Sequence, residues 1–85
     1  MTAFWQVLNP ANFARIQPGM MMEDVRRLLG KPAKAMTYSL KQETAWDWRY
    51  LEPPNTAMVF TVWFSSDDRV LRTSSAPDPQ APENR

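Results

Sequence analysis

Two adjacent acidic pairs, Glu23 with Asp24 and Asp67 with Asp68, come nearest in this sequence to an arrangement that could do acid-base chemistry. Paired carboxylates can act as general acid and general base. However, adjacent residues on a helix do not face each other, and the first pair lies in the first turn of a predicted helix. The second pair lies in a predicted turn, where Asp is favoured by local backbone hydrogen bonding. We therefore interpret both pairs as solvated structural residues.

The sequence contains no histidine and no cysteine. The commonest general base, the thiol nucleophiles and most transition-metal ligands are thus missing, which leaves carboxylates, hydroxyls, amines and tyrosines. Gly19 and Gly30 do not form a phosphate-binding loop, because no glycine-rich run precedes a Lys-Ser or Lys-Thr pair. We expect a protein that is not an enzyme and that binds neither a cofactor nor a metal.

Length and charge narrow the class further. A chain of 85 residues fits one small domain, and its net charge of +1 comes without the basic stripe that phosphate-backbone binding needs. Nucleic acid is therefore not an expected partner. No run reaches the roughly 18 apolar residues of a membrane span, and residues 1–10 lack the features of a signal peptide. We expect the chain as given to be soluble, and an export signal would have to come from a longer natural precursor.

The N-terminal part predicts two short helices. Asn9 can accept a hydrogen bond from a free amide and Pro10 suits the first helical position, so a first helix is predicted over about residues 10–16. It is too short to persist alone, and packing of Phe13 and Ile16 must hold it.

The second helix is predicted from about Met22 to Leu29, with Gly30 as its left-handed C-terminal residue and Pro32 blocking its continuation. Met21 stands at the capping position, although its side chain has no oxygen for the free amides. The apolar residues of this helix form one stripe, consisting of Met22, Val25, Leu28 and Leu29.

After Pro32 the apolar period changes from helical to two. Trp46, Trp48 and Tyr50 alternate with smaller or charged residues, which predicts a strand with one buried face. The segment AMVFTVWF predicts a second strand and RVLRTSS a third, joined by a turn over residues 65–68. Residues 34–43 are compatible with either a loop or a short edge strand.

These elements predict an α+β domain in which two short N-terminal helices pack on a three-stranded antiparallel sheet. We assign residues 1–9 to an apolar lead-in and residues 10–73 to the domain. Residues 74–85 are rich in proline and lack large apolar side chains, which predicts a disordered tail.

Large apolar residues are predicted on the sheet face away from the helices. If Phe60, Val62 and Phe64 face the helices, Val59 and Trp63 point the other way and need a cover or a partner. One interpretation is that Phe4 and Trp5 fold back over them. The hypothesis we favour is a partner-binding surface made of Val59, Trp63, Phe4 and Trp5.

A different hypothesis is a small-ligand or lipid-binding module. In it, the run Met20, Met21 and Met22 and the sheet aromatics would line an apolar cleft, with anionic lipid as the ligand. Burial of the same side chains in the core is the alternative interpretation.

The residues directly before and after the second helix resemble those of a known family. Gly19-Met20 before the helix and Leu29-Gly30-x-Pro32 after it, followed by the aromatic strand and the hairpin, resemble the SmpA/OmlA (BamE-like) family over about residues 9–73. The matching positions look mainly structural, serving turns, core and sheet. They are Gly19, Met20, Val25, Leu29, Gly30, Pro32, Trp48, Tyr50 and Phe64.

The resemblance implies two short helices on a three-stranded antiparallel sheet, in agreement with the periodicity. It also implies a lipoprotein at the periplasmic face of the outer membrane, with a protein partner in β-barrel assembly or envelope integrity. Three departures stand out: Met21 replaces the usual Ser or Thr, Asp68 replaces a turn glycine, and the lipid-bearing cysteine is missing. The lipid anchor is thus expected only if a natural precursor carries that cysteine.

Overall fold

The computed structural model describes residues 8–79. Two helices are followed by four strands, and each strand pairs antiparallel with the next in the order β1-β2-β3-β4. The elements are α1 (Pro10–Phe13), α2 (Met22–Leu29), β1 (Lys34–Tyr38), β2 (Glu43–Glu52), β3 (Thr56–Phe64) and β4 (Val70–Pro77).

The α1 helix begins as predicted but ends early. The Asn9 side chain accepts a hydrogen bond from the Asn12 amide (2.9 Å), and Pro10 takes the first helical position. The helix ends at Phe13 instead of Ile16, because the Ile16 amide bonds to the Phe13 carbonyl three residues back, which tightens the chain out of the α-helical path. Ile16 is nevertheless buried in the core.

The α2 helix has the predicted bounds, and Gly30 follows it with φ 83° and ψ −167°. The positive φ agrees with the prediction, whereas the ψ value does not, because Gly30 adopts an extended conformation that is essentially restricted to glycine and is not left-handed helical. This conformation turns the chain toward the sheet. There the Trp48 indole N–H donates to the Gly30 carbonyl (3.2 Å).

The N-terminus of α2 is satisfied by the β3–β4 turn. Met21 makes no side-chain cap, and the Met22 amide instead donates to the carbonyl of Asp68 (2.9 Å). Asp68 has a φ of 62°, in the left-handed region. A backbone carbonyl from a distant turn thus replaces the missing capping side chain.

The residues before α2 extend this contact along β4. We call residues 19–22 the clamp segment. The Gly19 amide donates to the Val70 carbonyl (2.7 Å), and the Val70 amide donates to the Met20 carbonyl (2.8 Å). The Arg69 guanidinium also donates to the Gly19 carbonyl (3.1 Å). The clamp segment therefore covers the start of the outer edge of β4.

The sheet has four strands, so the predicted three-stranded sheet is wrong by one strand. Of the two alternatives for residues 34–43, the edge strand is observed as β1, which pairs Met36 with Ala45. In addition, β4 continues to Pro77, so residues 74–77 belong to the sheet and not to a tail. The long β3 strand supplies partners as far as Met58, opposite Pro77. Residues 1–7 and 80–85 lie outside the described residues.

The core lies between the helices and one face of the sheet. Phe13 stacks on Phe60 with ring centroids 4.0 Å apart and meets Tyr50 edge-on at 4.8 Å. Trp48 is 2% exposed at the centre of the sheet. The buried cluster consists of Phe13, Ile16, Val25, Leu29, Trp48, Phe60, Val62, Phe64 and Val70.

A β-bulge interrupts the pairing of β3 and β4. Phe64 pairs with Val70, but Trp63 pairs with Arg72, so Leu71 is an extra residue in β4. Uninterrupted pairing from Phe64 and Val70 would have placed Leu71 opposite Trp63 and Arg72 opposite the buried Val62. The bulge therefore keeps a charged side chain out of the core.

We predict that Trp48→Phe lowers the free energy of unfolding by about 2–3 kcal/mol, since it leaves a void and removes the hydrogen bond to the Gly30 carbonyl. Trp46→Phe is the matched control, because Trp46 is half-buried and its indole makes no hydrogen bond among residues 8–79. Urea unfolding followed by circular dichroism measures both. Equal losses would contradict a special role of the Trp48 indole.

We predict that Asp68→Ala lowers the free energy of unfolding by about 1 kcal/mol, whereas Asp68→Gly raises it by about 0.5 kcal/mol. Both changes keep the carbonyl that binds the Met22 amide, and they differ in their tolerance of the positive φ. Thermal unfolding measures whether each variant is less or more stable than the unaltered protein. If the Gly variant were as unstable as the Ala variant, the Asp68 side chain and not its backbone conformation would matter.

Candidate functional site

The candidate site is the sheet face that points away from the helices, which we call the open face. Val59 and Trp63 both lie on it, as the alternation of β3 predicts, opposite Arg49 and Ala45 of β2. Both side chains are half-buried. Phe4 and Trp5, the other two members of the predicted surface, lie outside the described residues.

Trp63 is covered by a charged pair. The Arg72 guanidinium carbon lies 4.7 Å from the centroid of the Trp63 ring, within range of a cation–π interaction. Arg72 in turn donates to Glu43, with Nη2 and Oε1 3.0 Å apart. Ala45, directly opposite Trp63, is only 6% exposed. An aromatic ring, a cation and a carboxylate thus stand side by side on three strands.

Beside this group, a groove of about 450 Å³ crosses the open face. All four strands contribute to its lining, which includes Lys34, Asp47, Arg49, Val59, Thr61 and Ala76. This volume is within the range of small-molecule pockets.

The charges of the groove are held by specific contacts. The Thr61 hydroxyl donates to Asp47 (2.7 Å). Arg49 Nε lies 3.6 Å from a carboxylate oxygen of Asp78, whose side chain is only 9% exposed. Fixed charges of both signs next to an apolar floor suit non-covalent recognition of another surface.

The acidic pairs lie elsewhere. Asp24 forms an ion pair with Arg27 on the exposed side of α2 (3.0 Å). The Ser65 hydroxyl donates to Asp67 and holds the pKa of that carboxyl below its usual value, in the solvated β3–β4 turn. No group of three or more potential metal ligands occurs within residues 8–79, and no helix there is long and apolar enough to span a membrane.

The residues that carried the family resemblance lie in turns, in the core and in the sheet. Gly19 and Gly30 both have positive φ. The remaining positions are fully or partly buried, namely Met20, Val25, Leu29, Pro32, Trp48, Tyr50 and Phe64.

The side chains of the hypothetical ligand cleft occupy different places. Met20, Met22, Trp46 and Tyr50 pack against the core, and Met21 is 48% exposed. The groove of the open face lies across the sheet from them and has a different lining. The geometry therefore does not favour the Met-rich cleft.

Sequence reasoning missed Arg72, Glu43 and the groove. Arg72 reaches the open face only because of the bulge, which strand periodicity does not reveal. The groove depends on the length of β4 and on the presence of β1. The predicted last strand was too short, and the prediction did not decide between a loop and a strand for residues 34–43. The one available signal was the charged residues alternating with Trp46, Trp48 and Tyr50, which had to face away from the core.

The comparison with protein families gives one match. The model of the outer membrane protein assembly factor BamE domain matches residues 6–74. No curated protein matches the sequence. Among solved structures, that of a putative osmotically inducible lipoprotein, OsmE, is similar at a TM-score of 0.70 and 14% identity, over 91% of this chain and 81% of that chain. At this identity the similarity shows the shared fold alone. Because the family match covers most of the chain, this protein belongs to the BamE domain family.

Proposed function

We propose that this chain is a non-enzymatic domain of the cell envelope that binds a protein partner in outer-membrane β-barrel assembly. The observation that carries the proposal is the match of residues 6–74 to the domain of an outer-membrane protein assembly factor. By the same family relation we propose a lipoprotein, or its soluble part, at the periplasmic face of the outer membrane.

The open face is the surface we propose for this partner. Trp and Arg are the side chains that most often dominate binding energy at protein interfaces, and here Trp63 and Arg72 are in contact. Val59 adds apolar area beside the groove. Phe4 and Trp5 remain part of the proposed surface.

The charge pattern favours a protein over a polyanion. The pairs Arg72–Glu43 and Arg49–Asp78 place both signs on the same face. Such alternation repels a uniformly charged polymer about as much as it attracts it, whereas a folded protein can present complementary charges.

We predict that Trp63→Ala weakens binding to the purified barrel-assembly complex of the same organism about 30-fold, because a central aromatic contact is lost. Biolayer interferometry with the immobilised domain measures the dissociation constant. Leu71→Ala is the matched control, since Leu71 is an exposed bulge residue of the same hairpin.

Two outcomes would contradict the proposal. If the unaltered domain does not bind, the barrel-assembly complex is not its partner. If Leu71→Ala weakens binding as much as Trp63→Ala, the open face is not the binding surface. If Trp63→Ala unfolds the domain, Trp63 is structural, and Arg72→Ala decides instead, because the half-exposed Arg72 side chain can be shortened without opening the core.

We predict a lipid-modified form in the outer-membrane fraction when the complete natural gene is expressed in its own host. Intact mass spectrometry of the fractionated cells would detect the added mass of the acyl chains. An unmodified protein confined to the cytosol would contradict the envelope role and leave the fold unaffected.

A further inference from the structure

The outer edge of β1 is an open sheet edge in the described chain, and exposed apolar side chains stand beside it. At the other edge, the clamp segment occupies the amide and carbonyl of Val70, and residues 73–77 of β4 carry only threonine, serine, alanine and proline side chains. In contrast, no backbone group of Lys34–Thr37 makes a hydrogen bond outside the sheet among residues 8–79. An unpaired edge is a template for a further strand.

Side chains next to this edge are apolar and exposed. Met36 and Tyr38 are 45% and 44% exposed, and the Tyr38 hydroxyl contacts the Met36 sulfur at 3.6 Å. Both lie on the open face together with Lys34, because these positions alternate along β1 and pair with Ala45, Glu43 and Asp47.

We propose that β1 pairs antiparallel with β1 of a second copy of this chain, which makes one continuous eight-stranded sheet. Only the register centred on Met36 pairs all five residues of β1. It places Met36 against Met36, and Lys34 against Tyr38 of the second copy, twice by symmetry. No like charges oppose each other within the strands, and each ammonium lies beside an aromatic ring.

On the sheet face toward the helices, the side chains are also compatible with this register. Ala35 would face Thr37 of the second copy, and both side chains are small. Because Lys34 lines the groove of the open face, Tyr38 of the second copy would border that groove. The pairing therefore extends the proposed binding face across two copies.

The association should be weak, since five paired residues bury far less than the roughly 1,200 Å² of a stable interface. Sedimentation equilibrium of the full chain from about 10 µM to about 1 mM spans that range. We expect the average mass to rise from 9.9 kDa toward twice that value. A chain that remains monomeric throughout overturns the proposal.

Opposite charges at one position test the register. Tyr38→Lys would place Lys against Lys34 of the second copy, and Tyr38→Glu would place a carboxylate there. We expect Tyr38→Lys to weaken association about tenfold or more, and Tyr38→Glu to associate at least about tenfold more tightly than Tyr38→Lys. Leu71→Lys, on the opposite edge strand β4, adds the same charge as Tyr38→Lys and should leave association through β1 unchanged.

The two substitutions should affect the stability of the single chain in the opposite order to their effect on association. Within one chain Tyr38 pairs with Glu43, so Tyr38→Lys should stabilise the β1–β2 hairpin and Tyr38→Glu should destabilise it. Loss of association in the Lys variant would therefore not result from unfolding. Equal association constants for the two variants would overturn the register.

The cysteine-free sequence allows a second measurement. Directly opposed residues in antiparallel strands have Cα atoms about 4.5–5.5 Å apart, which suits a disulfide. Met36→Cys should give a covalent dimer under mild oxidation, whereas Thr37→Cys should not, because residue 37 opposes residue 35. Failure of Met36→Cys to cross-link, or equal cross-linking of both variants, overturns the pairing.

Discussion

The hydrogen bond from the Met22 amide to the Asp68 carbonyl fixes where the start of α2 meets the β3–β4 turn. The residue before α2 has no capping oxygen, so the first turn of the helix needs a partner from elsewhere in the chain. The same turn places Val70 against the clamp segment, which aligns the helix layer with the last strand. The helix start, the tight turn and the cover of the first residue of β4 are therefore parts of a single arrangement.

The composition of the open face is a consequence of how the opposite face of the sheet packs against the helices. Once Trp48, Phe60 and their neighbours face the helices, the alternating positions must face outward, and their apolar members need local cover. Arg72 covers Trp63 while its charge is balanced by Glu43. The result is a face with aromatic area beneath opposed charges. Such a face stays solvated in the free domain and can still offer a large ring to a partner.

The bounds of α2 could be predicted from the sequence because its signals are local: Gly30 ends it, Pro32 blocks it, and its apolar stripe is regular. The outward position of Val59 and Trp63 also followed from a simple period of two. The edge strand β1 and the last residues of β4 could not be predicted, since their hydrogen bonds come from β2 and β3 and their own side chains are mostly exposed. The position of Arg72 on the open face could not be predicted for a different reason, because no rule of composition reveals where a strand gains an extra residue.

The bulge at Leu71 also has an evolutionary consequence. Because strand side chains alternate, regular pairing of Leu71 with Trp63 in place of the bulge would turn every later residue of β4 over and exchange the two faces of the strand. Arg72 would then point at Val62, and the neighbour of Trp63 would become apolar. In relatives of this domain, loss of this bulge without a change in strand length would change surface chemistry more than most substitutions could. Proteins with nearly the same strand sequences could thereby come to recognise different surfaces.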